Sequence, residues 1–107
     1  MSLKKILSQE QFEELADSDM FLLVKHSLTC PVSQAAFEEY EKFAVASGIN
    51  TAYLAVQEAR PLSNFVAEKY QIKHESPQAI LFKNGKPVWN TSHWKITEKS
   101  LREASQA

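Results

Sequence analysis

The segment QAILFKNGKPVWN, residues 78–90, constrains the fold more than any other stretch of this chain. Two apolar runs flank Asn84-Gly85, and an Asn-Gly pair between such runs is the strongest short-range signal for a tight antiparallel hairpin, because both residues tolerate the positive φ of the turn. The sequence before it follows a different rule. MFLLVKH (20–26) and INTAYLAV (49–56) are short apolar runs of the kind a parallel sheet buries on both faces, and each leads into a helical pattern. From Pro31, the residues Val32, Ala36, Phe37, Tyr40, Phe43 and Ala44 recur at spacings of three and four until Gly48. That spacing predicts a helix over 31–47 with proline at its first position. RPLSNFVAEKYQI is another helix, opened by Pro61, with Leu62, Phe65, Val66 and Tyr70 on one face. Ser8 and Gln11 make a capping-box pattern ahead of Phe12, Leu15 and Ala16, which predicts a first helix over 8–17. Thr97 and Glu98 open a last helix running to Ser105, and LKKIL marks a minor strand at the start. The expected class is α/β: a mixed central sheet with parallel strands, a C-terminal antiparallel hairpin and flanking helices.

With 107 residues, no internal repeat and no Gly/Ser linker, the chain reads as one domain over 1–107. Its net charge is −1 with acids and bases interspersed, so it offers no broad basic field for nucleic acid and no polybasic membrane anchor. No run approaches the ~20 apolar residues that span a bilayer, and the N-terminus lacks a signal-peptide core. The expectation is a cytoplasmic protein without nucleic-acid or membrane partners.

The chain has one cysteine, Cys30, inside HSLTCPVSQAAF. It follows the strand at 20–26 and precedes the helix at 31–47, a place where unpaired N–H groups and the helix dipole favour thiolate over thiol. Pro31 sets the helix start without adding a donor. Ser33 stands where a two-cysteine redox motif would carry its second sulfur. Lys25 and His26, just upstream, are candidate cations for the thiolate, although strand alternation turns one of them away. Free cysteines are also among the most buried residue types, so an inert Cys30 is the competing reading, which the placement between strand and helix outweighs. One cysteine makes neither an internal disulfide nor a cysteine-based zinc site, and His74-Glu75 belongs to no ligand set of recognisable spacing, so no metal is expected. Trp89, Phe82 and Phe37 read as core.

The stretch AEKYQIKHESPQAILFKNGKPV resembles the second half of thioredoxins, with Pro77 in the position of that fold's cis-proline and one extra residue in HES before it. More narrowly, TCPVS, HESPQ and SHWKIT together resemble the monothiol bacilliredoxin family. The resemblance implies a single thioredoxin-like domain and a thiol-disulfide oxidoreductase that removes bacillithiol from protein mixed disulfides through nucleophilic Cys30, with an external thiol completing the cycle. It implies no bound cofactor, bacillithiol being a co-substrate, and it names as partners proteins carrying bacillithiol mixed disulfides and a low-molecular-weight thiol, in a stress-response setting. By the same resemblance Thr29, Pro31 and Ser33 belong with Lys25 and His26 around the thiol, while Ser76, Pro77, Ser92, His93 and Trp94 line the substrate. The rival readings are a noncatalytic thioredoxin-like module with a modified or inert Cys30, and a monothiol enzyme using another small thiol.

Overall fold

The computed structural model describes residues 3–106. Its elements run β1 (Lys4–Lys5), α1 (Gln9–Ala16), β2 (Met20–His26), α2 (Pro31–Ser47), β3 (Asn50–Ala55), α3 (Arg60–Tyr70), β4 (Gln78–Lys83), β5 (Lys86–Ser92), a 3₁₀ turn (His93–Lys95) and α4 (Glu98–Gln106). The sheet order is β1-β3-β2-β4-β5. β3 pairs in parallel with β1 and β2, whereas β4 is antiparallel to both β2 and β5. The hairpin turns at Asn84 and Gly85, whose φ values of 53° and 81° are those the Asn-Gly pair anticipates.

Strand alternation divides the core in two. Phe21 and Leu23 of β2 pack on one face with Phe12 of α1, Leu62 and Val66 of α3, and Ile80 and Phe82 of β4. Leu22 and Val24 point the other way, to Ala36, Tyr40 and Phe43 of α2 and Leu101 of α4. Helices therefore cover both faces, and β2 is apolar along most of its length because neither face meets water. The buried Tyr40 hydroxyl lies between the carbonyls of Leu22, at 2.9 Å, and Ala52, fastening α2 to the seam between β2 and β3. Tyr40→Phe is expected to lower the unfolding free energy by about 1–2 kcal/mol, read from urea denaturation.

Each helix is set by local chemistry. Ser8 and Gln11 complete the capping box of α1. Gly48 ends α2 in the left-handed region, at φ 74°. Thr97 and Ser100 exchange side chain-to-main chain bonds of 3.0 Å at the start of α4, and Glu39 of α2 accepts the Glu98 N–H at 2.9 Å, docking α4 onto α2.

Candidate active site

Cys30 is the N-cap residue of α2, with extended backbone at φ −104° and ψ 123°. Pro31 follows at the first helical position and has no N–H, so the free donors of the first turn are those of Val32 and Ser33. These N–H groups, that of Ser33 foremost, hold the Cys30 thiol below its ordinary pKa; partial burial opposes them and the Ser33 hydroxyl assists. The thiol is free and partly accessible.

Ser33 is fully buried, and its Oγ accepts the Ser27 N–H at 3.2 Å. It thereby ties the helix start to the turn over 27–29. Gln57, two residues beyond the end of β3, secures the same turn from the other side: its Oε1 accepts the Leu28 N–H at 3.1 Å and its Nε2 donates to Ser27 Oγ at 2.9 Å. Thr29 is exposed on this turn. Sequence reasoning misses Gln57. Its signal is its place as the first polar residue beyond a buried strand, at the C-terminal edge of the parallel strands, where α/β folds gather their sites.

Lys25 and His26 continue the alternation of β2 and part company. Neither is among the groups that lower the Cys30 pKa. His26 follows Leu22 and Val24 to the α2 face, where its ring centroid lies 4.7 Å from Phe37 and 6.2 Å from Tyr53. Phe37 thus packs beside the site, half-buried, instead of in the core the helical pattern suggested. Burial pushes the His26 pKa down against the raising effect of its Ser33 main-chain contact. The imidazole is neutral near pH 7, so it supplies no cation to the thiolate. Lys25 follows Phe21 and Leu23 to the α3 face, fully buried, with Nζ donating to the Ser63 carbonyl at 3.0 Å and to His74 Nδ1 at 3.2 Å.

The register Lys25↔Gln78 sets the Ser76-Pro77 bond at the end of the sheet from which the Cys30 turn departs, and that bond is cis. Gln78 is buried and folds back on its own loop, with Nε2 donating to the Lys73 carbonyl at 2.9 Å and Oε1 accepting the Glu75 N–H at 3.4 Å. Ser76 Oγ is buried without a partner among the described residues.

Ser92 and His93 meet this loop from β5. The His93 N–H donates to the Pro77 carbonyl at 3.0 Å. Glu75 Oε1 accepts from Ser92 Oγ at 3.1 Å and from His93 Nε2 at 2.9 Å. These bonds, Ser92 first and His93 second, hold the Glu75 carboxyl below its usual pKa. The polar tips expected to face substrate are therefore engaged with Glu75. Trp94, 72% exposed, stands free on the next residue. Among the described residues no group of three or more His, Cys, Asp or Glu is placed to hold a metal, and no helix is long and apolar enough to cross a membrane.

His26 and His74 both have depressed pKa values, His74 through burial first and then through Lys25 and Arg60. The unfolded chain thus binds more protons. Their contribution to stability is complete above about pH 6.5, the unfolded value, and is lost as pH falls through the lower folded values. Urea unfolding between pH 7.5 and 5 is expected to show this acid loss, and His26→Gln to remove part of it.

An α/β sheet of this topology, with a thiol at the start of α2 and a cis-proline loop at the same end of the sheet, defines a redox protein of the thioredoxin class. A family model described as monothiol bacilliredoxin matches residues 3–101, and the chain belongs to that family. A solved protein assigned as an oxidoreductase with a thioredoxin fold is 40% identical, with a TM-score of 0.92 over 96% of this chain and 93% of its own. Two thioredoxins share the fold at 19% identity. That of Fasciola hepatica has a TM-score of 0.78, covering 96% of each chain. That of Malassezia sympodialis has a TM-score of 0.77, covering 98% of this chain and 89% of its own.

Proposed function

We propose that this protein is a cytoplasmic enzyme that removes bacillithiol from protein mixed disulfides through Cys30. The observation that carries the reading is a single accessible thiol, favoured as thiolate by the Ser33 and Val32 N–H groups, with a hydroxyl in place of a resolving sulfur. Family membership supports bacillithiol as the small thiol.

In the capture step the Cys30 thiolate attacks the bacillithiol sulfur of a mixed disulfide, the sulfur–sulfur bond breaks, and the client cysteine leaves as a thiolate that takes a proton from solvent. Cys30 keeps the bacillithiol as its own mixed disulfide. A second, external thiol then attacks the bacillithiol sulfur, frees Cys30, and departs joined to bacillithiol. Over the cycle one disulfide is exchanged for another: the client thiol is restored and the external thiol takes its place beside bacillithiol. Thr29 and Trp94 are exposed, in keeping with a protein substrate presented as an extended segment. A cleft of about 430 Å³ lies at the opposite end of the sheet, by Met20, the first residue of β2.

The decisive experiment mixes reduced protein with one client carrying bacillithiol or glutathione and follows transfer to Cys30 by intact mass. Preferential transfer of bacillithiol is expected; equal or absent transfer removes the specific assignment. An inert Cys30 would instead show slow alkylation at pH 6 with thiolate forming only above pH 8.5. Ser33→Ala is expected to slow iodoacetamide alkylation below pH 7 by roughly threefold, because the hydroxyl is the least of the groups stabilising the thiolate and the main-chain donors survive.

A further inference from the structure

The buried Lys25 takes no part in the chemistry above, and among the described residues no carboxylate is bonded to it. A long cationic side chain enclosed without a counter-charge costs the fold stability, so its presence calls for a return. Its two acceptors belong to different elements: the Ser63 carbonyl is on α3, and His74 Nδ1 is on the loop that leads into Ser76 and Pro77. Ser63 Oγ approaches the same Nδ1 at 3.2 Å. The three residues bind the end of β2, α3 and the substrate-facing loop at one point.

We infer that Lys25, Ser63 and His74 form a proton-sensitive bracket that positions the Ser76-Pro77 loop for capture of substrate by Cys30. The inference rests on Cys30 being the capturing thiol. Lys25 and His74 act through the loop and are positioning residues.

The bracket holds one proton between its two nitrogens. A neutral His74 offers the Nδ1 lone pair to the Lys25 ammonium. A second proton, on Nδ1, removes the lone pair that Lys25 uses and sets two cations 3.2 Å apart, so the Lys25 contact opens and the Ser63 hydroxyl is left as the acceptor for the ring N–H. The groups facing His74 are Lys25 of β2 and Arg60 of α3, which both resist its protonation, and Glu75 of its own loop, which favours it. Since residue 74 is exposed at the surface, solvent protons reach it. Release leaves the loop held by Gln78 from within and by Glu75 through Ser92 and His93. Its tie to β2 through Lys25 is gone.

The test compares reaction of Cys30 with and without use of the loop. Between pH 7.5 and 5.5, the kcat/KM for a client carrying bacillithiol is divided by the iodoacetamide alkylation rate of Cys30, which removes thiolate ionisation from the comparison. In the native sequence this ratio is expected to fall roughly three- to tenfold on acidification, mainly through a rise in KM. His74→Asn, whose carboxamide oxygen accepts from Lys25 at every pH, is expected to give a flat ratio. Lys25→Met is expected to give a low ratio throughout the range with a raised Tm, a combination that a folding defect does not produce. Amide exchange of residues 74–78 supplies a readout free of substrate: protection falls with acid in the native sequence and stays constant in His74→Asn. A constant ratio in the native protein, or an acid fall and loss of protection that persist in His74→Asn, overturns the bracket. If bacillithiol transfer is absent while protection behaves as expected, the bracket stands and the assigned small thiol does not.

Discussion

Replacing Ser33 by cysteine is expected to turn a one-thiol cycle into one that resolves itself. Ser33 lies three residues after Cys30 on the same helix start, a neighbouring position, and its hydroxyl already acts on the Cys30 thiol. A sulfur placed there attacks the Cys30 mixed disulfide, forms an internal disulfide with Cys30 and expels the small thiol. Intact mass would show the captured adduct decaying to a species two hydrogens lighter than the reduced protein, without added thiol. The unaltered chain is expected to keep its adduct until an external thiol arrives. Cys30→Ser is the counterpart and is expected to reduce turnover at least about 10³-fold, since no other residue offers a sulfur nucleophile. Persistence of the adduct in the Ser33→Cys protein would show that the site holds position 33 away from the captured bond.

Removing a positive charge from the core is expected to make the protein more stable. Burial lowers the Lys25 pKa from 10.5 to about 8. In full, that difference corresponds to roughly 3 kcal/mol of disfavoured charge at neutral pH. The two hydrogen bonds of Nζ and solvent screening beside exposed His74 return part of it, so Lys25→Met is expected to raise the unfolding free energy by about 1–2 kcal/mol. For a chain of this length that is on the order of 5 °C in Tm. The pH dependence has a definite sign. With a folded value near 8 and an unfolded value of 10.5, the lysine's contribution is complete above 10.5 and is lost as pH falls through about 8. Urea unfolding at pH 7 and 9.5 would show the native chain gaining stability from this group and Lys25→Met lacking the gain. A variant less stable than the native chain at pH 7 would mean that the ammonium's contacts outweigh its burial.

The fold was readable because each local signal agreed with the global arrangement. The Asn-Gly turn, the doubly buried apolar runs and the proline-opened helices specify the same sheet, and the observed bounds of α1, α2, β2 and the hairpin follow them closely. The site was readable in one dimension only. That Cys30 stands between β2 and α2 is a fact of order along the chain. The destinations of Lys25 and His26 depend on what covers each face of β2. In sequence, KH at the end of MFLLVKH offers two candidate cations for the thiolate; in the fold, α3 and the loop over 71–77 close over Lys25, and α2 closes over His26. Likewise SHWKIT announces a polar segment near the thiol, but the tie of Ser92 and His93 to Glu75 is a contact across 17 and 18 residues that no local pattern records.

The place of Cys30 at the N-cap of α2 gives the captured state a built-in restoring force. Serine or aspartate at such a position satisfies the first turn permanently, a service of about 1 kcal/mol. Here the Ser33 and Val32 N–H groups favour the thiolate, which is also the nucleophile. Each capture ties the sulfur into a neutral disulfide and leaves the Ser33 and Val32 donors facing weak company. The helix is then better off once the sulfur is returned to it. The first turn of α2 therefore acts as a spring that is loaded by each client and unloaded by the thiol that completes the cycle.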